Sequence, residues 1–138
     1  MKHHLRIARP VTDLARSCDL YCHGLGLRVV GRFENHEGFD GVMLAFEGAD
    51  YHFEFTHCRP DAVLPRPTPE DLVVLYIPCL AEWEAACRRM VRAGFKPVRS
   101  FNPYWEALGR TYEDADGYRT VLHPSDANSF TAQQTPAR

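Results

Sequence analysis

The chain is written twice, and that repetition constrains its fold more than any other feature. Residues 47–57 read EGADYHFEFTH and residues 113–123 read EDADGYRTVLH. Glu47, Ala49, Asp50 and Tyr51 meet Glu113, Ala115, Asp116 and Tyr118 at a shift of 66 to 67 residues. Gly26, Arg28, Val30 and Phe33 meet Gly94, Lys96, Val98 and Phe101 at a shift of 68. Matches in one order at nearly one spacing indicate a tandem duplication, so one supersecondary unit is used twice. Where the copies differ is where function should be sought.

Each copy reads as strand, helix, then three strands. In the first, HLRIAR alternates and stops at Pro10. Thr12 or Asp13 then caps a helix whose apolar residues Leu14, Cys18, Tyr21, Cys22 and Leu25 recur with a 3.6-residue period. Gly24 and Gly26 are expected to end it. Strands are predicted near 27–33, 41–46 and 51–57, with the turn-rich NHEGFDG between the first two. The second copy opens with LVVLYI, continues into a helix striped with Leu80, Trp83, Cys87, Met90 and Val91, and stops at Gly94. Strands near 96–101, 109–113 and 118–123 complete it. Module one thus covers about 3–57 and module two about 71–124. The Pro-rich CRPDAVLPRPTPE of 58–70 joins them, and 125–138 reads as a flexible tail.

Composition narrows the partners. A net charge of -2 offers no electrostatic case for nucleic acid or an anionic membrane surface. No apolar run reaches the roughly 20 residues of a membrane helix. The opening MKHHLRIARP has neither the apolar stretch nor the cleavage site of an export signal. The five scattered cysteines, including Cys18 and Cys22 on the first helix, read as small apolar residues of a reduced, cytoplasmic protein rather than a disulfide or metal set.

The βαβββ unit used in tandem, with the phrases RIARPVTDLARSCDLYCHGLGLRVV and EDADGYRTVLHP, resembles the vicinal oxygen chelate superfamily of glyoxalase, bleomycin-resistance and extradiol dioxygenase proteins. The resemblance spans about residues 4 to 124. It implies an α+β fold in which two modules lay their sheets side by side as an open cup with helices outside, and a homodimer.

Strand parity then selects a binding face. Tyr51, Phe53 and Phe55 point one way, toward the helices, while His52, Glu54 and Thr56 point the other. Leu5 and Ile7 go to the helix side, and His4, Arg6 and Ala8 face inward. Tyr118, Thr120 and Leu122 face the helices, leaving Arg119, Val121 and His123 inward. In metal-dependent members of the superfamily the ion is held from the first and fourth strands of each module. Carried over, those four positions fall on Arg6, Glu54, Leu72 and Val121. One carboxylate beside a fixed cation does not make a site for zinc or iron, which use about three protein ligands, so no metal and no cofactor are expected. Arg6 and Glu54 should stand level on neighbouring strands, either as a structural ion pair or with Arg6 held ready for an anion.

The first reading is therefore a metal-free binder of a small organic ligand. Its wall is made of Arg6, His4, Thr56, Arg119 and His123, with Asn102, Tyr104 and Trp105 from the loop SFNPYWEALGR at the mouth. Tyr104 and Trp105 are open to a second reading as core or dimer packing. The competing class is an enzyme, a lyase, isomerase or dioxygenase-like protein. It would be metal-dependent at a shifted His4, His52 and Glu54 cluster, or metal-free with Glu54 or His52 as the base. A pure dimerisation module is the third class. There is no phosphate-binding glycine loop, no Cys-x-x-Cys and no nucleophile elbow.

Overall fold

The computed structural model describes residues 2–126; the rest of the tail expected after residue 124 lies outside them. The first module runs β1 (Leu5–Pro10), α1 (Leu14–Leu25), β2 (Arg28–His36), β3 (Phe39–Ala45) and β4 (Tyr51–Cys58). The second runs β5 (Leu72–Tyr76), α2 (Leu80–Ala93), β6 (Lys96–Val98), α3 (Pro103–Leu108), β7 (Arg110–Glu113) and β8 (Arg119–His123). The two βαβββ modules are present as a pair of four-stranded mixed sheets, ordered β1-β4-β3-β2 and β5-β8-β7-β6. In each, the first strand runs parallel to the last and the other pairings are antiparallel.

Asp13 caps α1 by accepting a hydrogen bond from the backbone N–H of Arg16, and Gly26 ends the helix in the left-handed region at φ 80°. Gly24, expected as a second stop, instead lies inside the helix. A Cβ there would come within 2.6 Å of the Phe95 ring, so its smallness serves close packing of the second module on α1. The predicted turn NHEGFDG is shorter than expected: β2 continues to His36, and the chain reverses through Glu37 and Gly38, both at positive φ. The strand expected over 96–101 stops at Val98. The loop after it holds α3, which the periodicity of so short a segment does not reveal.

Strand alternation holds. Phe53, Phe55 and Leu122 are buried, and Leu14 and Trp83 cover them as partly buried members of the same core. The Trp83 indole N–H donates to the carbonyl of Leu122 at 2.9 Å, tying α2 to β8. The helix sides of both sheets share this one core. The Tyr21 ring meets Phe55 at 4.9 Å and Phe95 at 5.1 Å, and the elements of the two modules meet chiefly as α1 on α2. Among the described residues the two sheets share no backbone hydrogen bonds. The polar faces therefore lie on the sides of their sheets away from the common core.

All five cysteines are unpaired. Among the described residues, no helix is long and apolar enough to cross a membrane.

Candidate functional site

On the first sheet the register sets the site. Arg6 lies level with His52, and Ala8 with Glu54. Arg6 and Glu54 are therefore offset by one step along the face rather than level as expected, because the parallel ladder starts with the Leu5 N–H donating to the carbonyl of Asp50. The arginine arm spans the offset. Its Nε–H donates to His52 Nε2 at 2.9 Å, while Nη1 approaches Glu54 Oε1 at 3.7 Å. Nη2 lies against the Met43 sulfur at 3.8 Å.

The Arg6 contact fixes the protons on its neighbours. A guanidinium only donates, so His52 Nε2 must be the unprotonated nitrogen and the ring's proton sits on Nδ1. That Nδ1 stands 2.6 Å from His4 Nε2, which must accept. A directed chain results: Arg6 to His52 to His4, with both imidazoles neutral. Partial burial lowers the pKa of His52, and the charge of Arg6 and the neighbouring His4 lower it further, against a smaller opposing pull from Glu54. His4 and His52 line a hollow of about 510 Å³, bordered by Val30, Ala45 and the Arg28–Glu47 pair, whose charged atoms are 2.6 Å apart.

In this arrangement both His52 nitrogens are engaged, so His52 has no lone pair for a metal ion or for a substrate proton. Glu54, with 12% of its side chain exposed, is the carboxylate left at the site. Among the described residues, no three His, Cys, Asp or Glu side chains gather as ligands to one ion. Thr56 has its hydroxyl directed to the carbonyl of Arg9 at 3.4 Å.

On the second sheet the same register recurs, with Leu72 level with Arg119 and Val74 with Val121. Leu72 thus holds the place of Arg6, and Val121 that of Glu54. Arg119, expected to bind ligand, pairs with Glu113 at 3.1 Å and is mostly covered. Val121 is fully buried, because α3 folds over the inward face of β7 and β8. The approach is close at Gly109, where a Cβ would meet the Trp105 carbonyl oxygen at 2.7 Å and the Val121 side chain at 3.0 Å. His123 is also buried, with Ser125 Oγ 2.7 Å from its Nδ1. Around it stand Tyr76 at 5.5 Å, Trp105 edge-on at 5.9 Å and Tyr104 nearly parallel at 6.3 Å. Burial lowers the pKa of His123.

Asn102 caps α3, accepting from the backbone N–H of Tyr104 at 3.0 Å, so its side chain is engaged in holding the helix. The sequence did carry that signal: Asn102-Pro103 is a cap followed by proline at the first helical position. The structure therefore gathers two groups on two faces: His4, Arg6, His52 and Glu54 on the first sheet, and His123, Tyr104 and Trp105 on the second. Arg119, Asn102 and Thr56 are engaged with their own neighbours.

Residues 5–56 match the model of the YycE-like N-terminal domain, and residues 70–124 that of the YycE-like C-terminal domain. The uncharacterized protein YycE of Bacillus subtilis strain 168 is 42% identical over 118 residues, covering 86% of this chain and 85% of its own. The crystal structure of a Bacillus subtilis YycE protein of unknown function superposes with a TM-score of 0.84 at 40% identity, over 90% of each chain. The fosfomycin resistance protein FosX of Mesorhizobium loti superposes at 0.70 with 14% identity, over 96% of each chain. The trypanothione-dependent glyoxalase I of Leishmania major does so at 0.71 with 18% identity, over 96% of this chain and 94% of its own. The last two share the vicinal oxygen chelate fold with this chain.

Proposed function

This chain belongs to the YycE-like family, built on the vicinal oxygen chelate fold, and from that premise we propose that it binds a small organic anion without a resident metal ion. One observation carries the reading. Arg6 leans its charge toward Glu54 at 3.7 Å, the single carboxylate among the four positions, Arg6, Glu54, Leu72 and Val121, that the resemblance implies as the fold's metal-holding places. A cation of fixed charge in place of a ligand repels a metal ion and attracts an anion. Half of the Arg6 side chain remains open to solvent, so it can meet a ligand while its Nε–H keeps His52 in place. His4, at the open end of the chain, offers its remaining Nδ1–H as a neutral donor. The aromatic group around His123, with Tyr104 partly exposed, suits a planar apolar part of the ligand.

The working unit in this reading is a homodimer. Since the helix sides of both sheets share one core, the Arg6 wall and the Tyr104 wall cannot close on each other within one chain. Among the described residues β1 and β5 each end a sheet, and a two-fold that sets β1 beside the partner's β5 would join the walls and cover both edges. The protein is taken as cytoplasmic, consistent with five unpaired cysteines. A second reading, a metal-free lyase or isomerase, assigns Glu54 as the base. Its polar contact with Arg6 is long at 3.7 Å, which leaves the carboxylate able to take a proton.

The test is elemental analysis of freshly purified protein, followed by titration with phenylphosphonate under NMR observation. The expected result is no stoichiometric metal, with shifts centred on the Arg6 Nε–H and the Met43 methyl. One equivalent of tightly held zinc, iron, nickel or manganese overturns the reading. So does phenylphosphonate that binds elsewhere or not at all.

A further inference from the structure

The duplication gives the molecule two corners where one module meets the other, and they are finished differently. At the first, the Arg9 guanidinium lies over the Tyr118 ring at 4.5 Å, and the Tyr118 hydroxyl donates to the carbonyl of Pro10 at 2.8 Å. Beside it the Tyr21 hydroxyl donates to the buried carboxylate of Asp114 at 2.7 Å. That corner is closed.

The counterpart residues at the second corner follow from the register. Leu75 lies level with Leu122 as Arg9 lies level with Phe55, so Leu75 takes the place of Arg9. Tyr51 takes that of Tyr118. Counting back from the left-handed caps Gly26 and Gly94, Arg89 falls on Tyr21. With Glu47 on Glu113, Gly48 replaces Asp114. The second corner therefore has a cation where the first has a phenol, and lacks the buried carboxylate that the first corner supplies. It is open, a cleft of about 410 Å³ with an apolar floor that includes Phe46, Leu75 and Ile77. Tyr51, Arg89 and Glu82 give it polar edges. Arg89 has no ion pair among the described residues, and Glu47 is already joined to Arg28. Glu82 lies two helical turns before Arg89, about 10 Å along the α2 axis, so the two charges mark opposite ends of the cleft.

We propose that this inter-module cleft is a second ligand site, distinct from the Arg6 face, that takes a small amphipathic carboxylate. Its carboxylate pairs with Arg89 and accepts from the Tyr51 hydroxyl, and its apolar body lies on Phe46, Leu75 and Ile77, directed away from the Glu82 end. The ligand supplies from outside the acid that Asp114 supplies from within at the other corner. The observation is independent of the Arg6 face and stands whether or not that face binds an anion.

The full chain is titrated with decanoate, and with decanol as the uncharged control, following methyl resonances. Decanoate is expected to move the methyls of Leu75 and Ile77 and to saturate those shifts below about 1 mM, independently of any change at Met43. Decanol should bind more weakly. Arg89→Gln should weaken decanoate roughly tenfold, the size of a lost charge-assisted bond, and Ala85→Phe should block the cleft. Arg6→Gln, on the other face, should leave the decanoate-induced shifts of Leu75 and Ile77 unchanged. Shifts confined to Met43 and its neighbours, equal binding to both variants, or a cleft already buried by a second copy in solution would overturn the proposal. The last is read as dissociation of the dimer by Ala85→Phe.

Discussion

His4 Nε2 stands 2.6 Å from His52 Nδ1, and the contact holds only while both rings are neutral. Arg6 occupies the other His52 nitrogen, so a proton added to either ring places two N–H groups, or two cations, against each other. The sign of the pH dependence follows. The folded pKa of His52 is lowered, and so is that of buried His123, so the unfolded chain binds more protons between the folded values and the ordinary one of about 6.5. Their contribution is full above that pH and is lost as pH falls through the folded pKa values. Urea midpoints measured from pH 8 to pH 5 should decline below about 6.5, and His52→Gln together with His123→Gln should flatten the decline. A midpoint that rises on acidification would contradict the neutral pair.

Replacing Arg6 separates binding from stability. The sequence alone left room for a dry ion pair with Glu54. With about half of the arginine side chain exposed and the charges 3.7 Å apart, the pair belongs to the weak class. Arg6→Met should cost no more than about 1 kcal/mol in urea unfolding, yet remove phenylphosphonate binding. It should also free the His52 tautomer, visible as a change in the ¹⁵N shifts of its ring. A loss of several kcal/mol would mean that Arg6 is structural.

What the sequence could and could not say divides along physical lines. Strand alternation is local, so the faces of Phe53, Glu54, Val121 and Leu122 were legible from residue order, as was the βαβββ repeat from its matched phrases. The one-step offset between Arg6 and Glu54 was not, because parallel register is set across a gap of more than forty residues by the Leu5–Asp50 bond. Helix α3 was hidden because six residues are too few for a hydrophobic period, although Asn102-Pro103 announced its start. The burial of Val121 and His123 follows from α3 and was hidden with it. That the two modules share their helix sides is a matter of long-range packing, carried by Tyr21, Gly24 and Phe95, which no periodicity reports.

Gly109 tests the cover that α3 forms. A methyl group there meets the Trp105 carbonyl oxygen, which is backbone and cannot swing aside, and Val121 behind it. Gly109→Ala should destabilise the fold by about 1–3 kcal/mol, as overpacking does. It should also lift α3, with the tryptophan fluorescence of Trp105 shifting to the red. Unchanged fluorescence with unchanged stability would show that α3 already sits loosely on β8.

The corner closed by Tyr21 should be strongly sensitive. The Asp114 carboxylate also receives the backbone N–H groups of Asp116 and Tyr118, so Tyr21→Phe leaves it partly satisfied. Burial already raises the pKa of Asp114 against those hydrogen bonds, and losing the strong phenol donor should raise it further. The expected cost is about 1–3 kcal/mol at neutral pH, smaller in acid, where a protonated Asp114 no longer needs three donors. Tyr21→Phe as stable as the wild type at pH 7 would mean that the two modules are held together without this bond.

The last prediction concerns metal. In the proposed reading Arg6, Glu54, Leu72 and Val121 take the four positions, so added zinc or nickel should leave the thermal unfolding temperature unchanged, since ligand-linked stabilisation requires selective binding to the folded state. Arg6→His supplies one imidazole and removes the repelling charge, but among the four positions only Glu54 joins it on the first sheet. Tight binding at those positions should still be missing, because two protein ligands fall short of the three or four that hold a zinc ion. Adding Leu72→His brings a second imidazole on β5, on the other wall. That ligand can join the first only if two chains set β1 beside β5, so zinc binding by the double variant should depend on protein concentration. The buried Val121 beneath α3 should contribute nothing in any of these variants. Zinc stabilising the wild type, with the effect abolished by His4→Ala or Glu54→Gln, would instead place the ion at the shifted cluster and reverse the metal-free assignment.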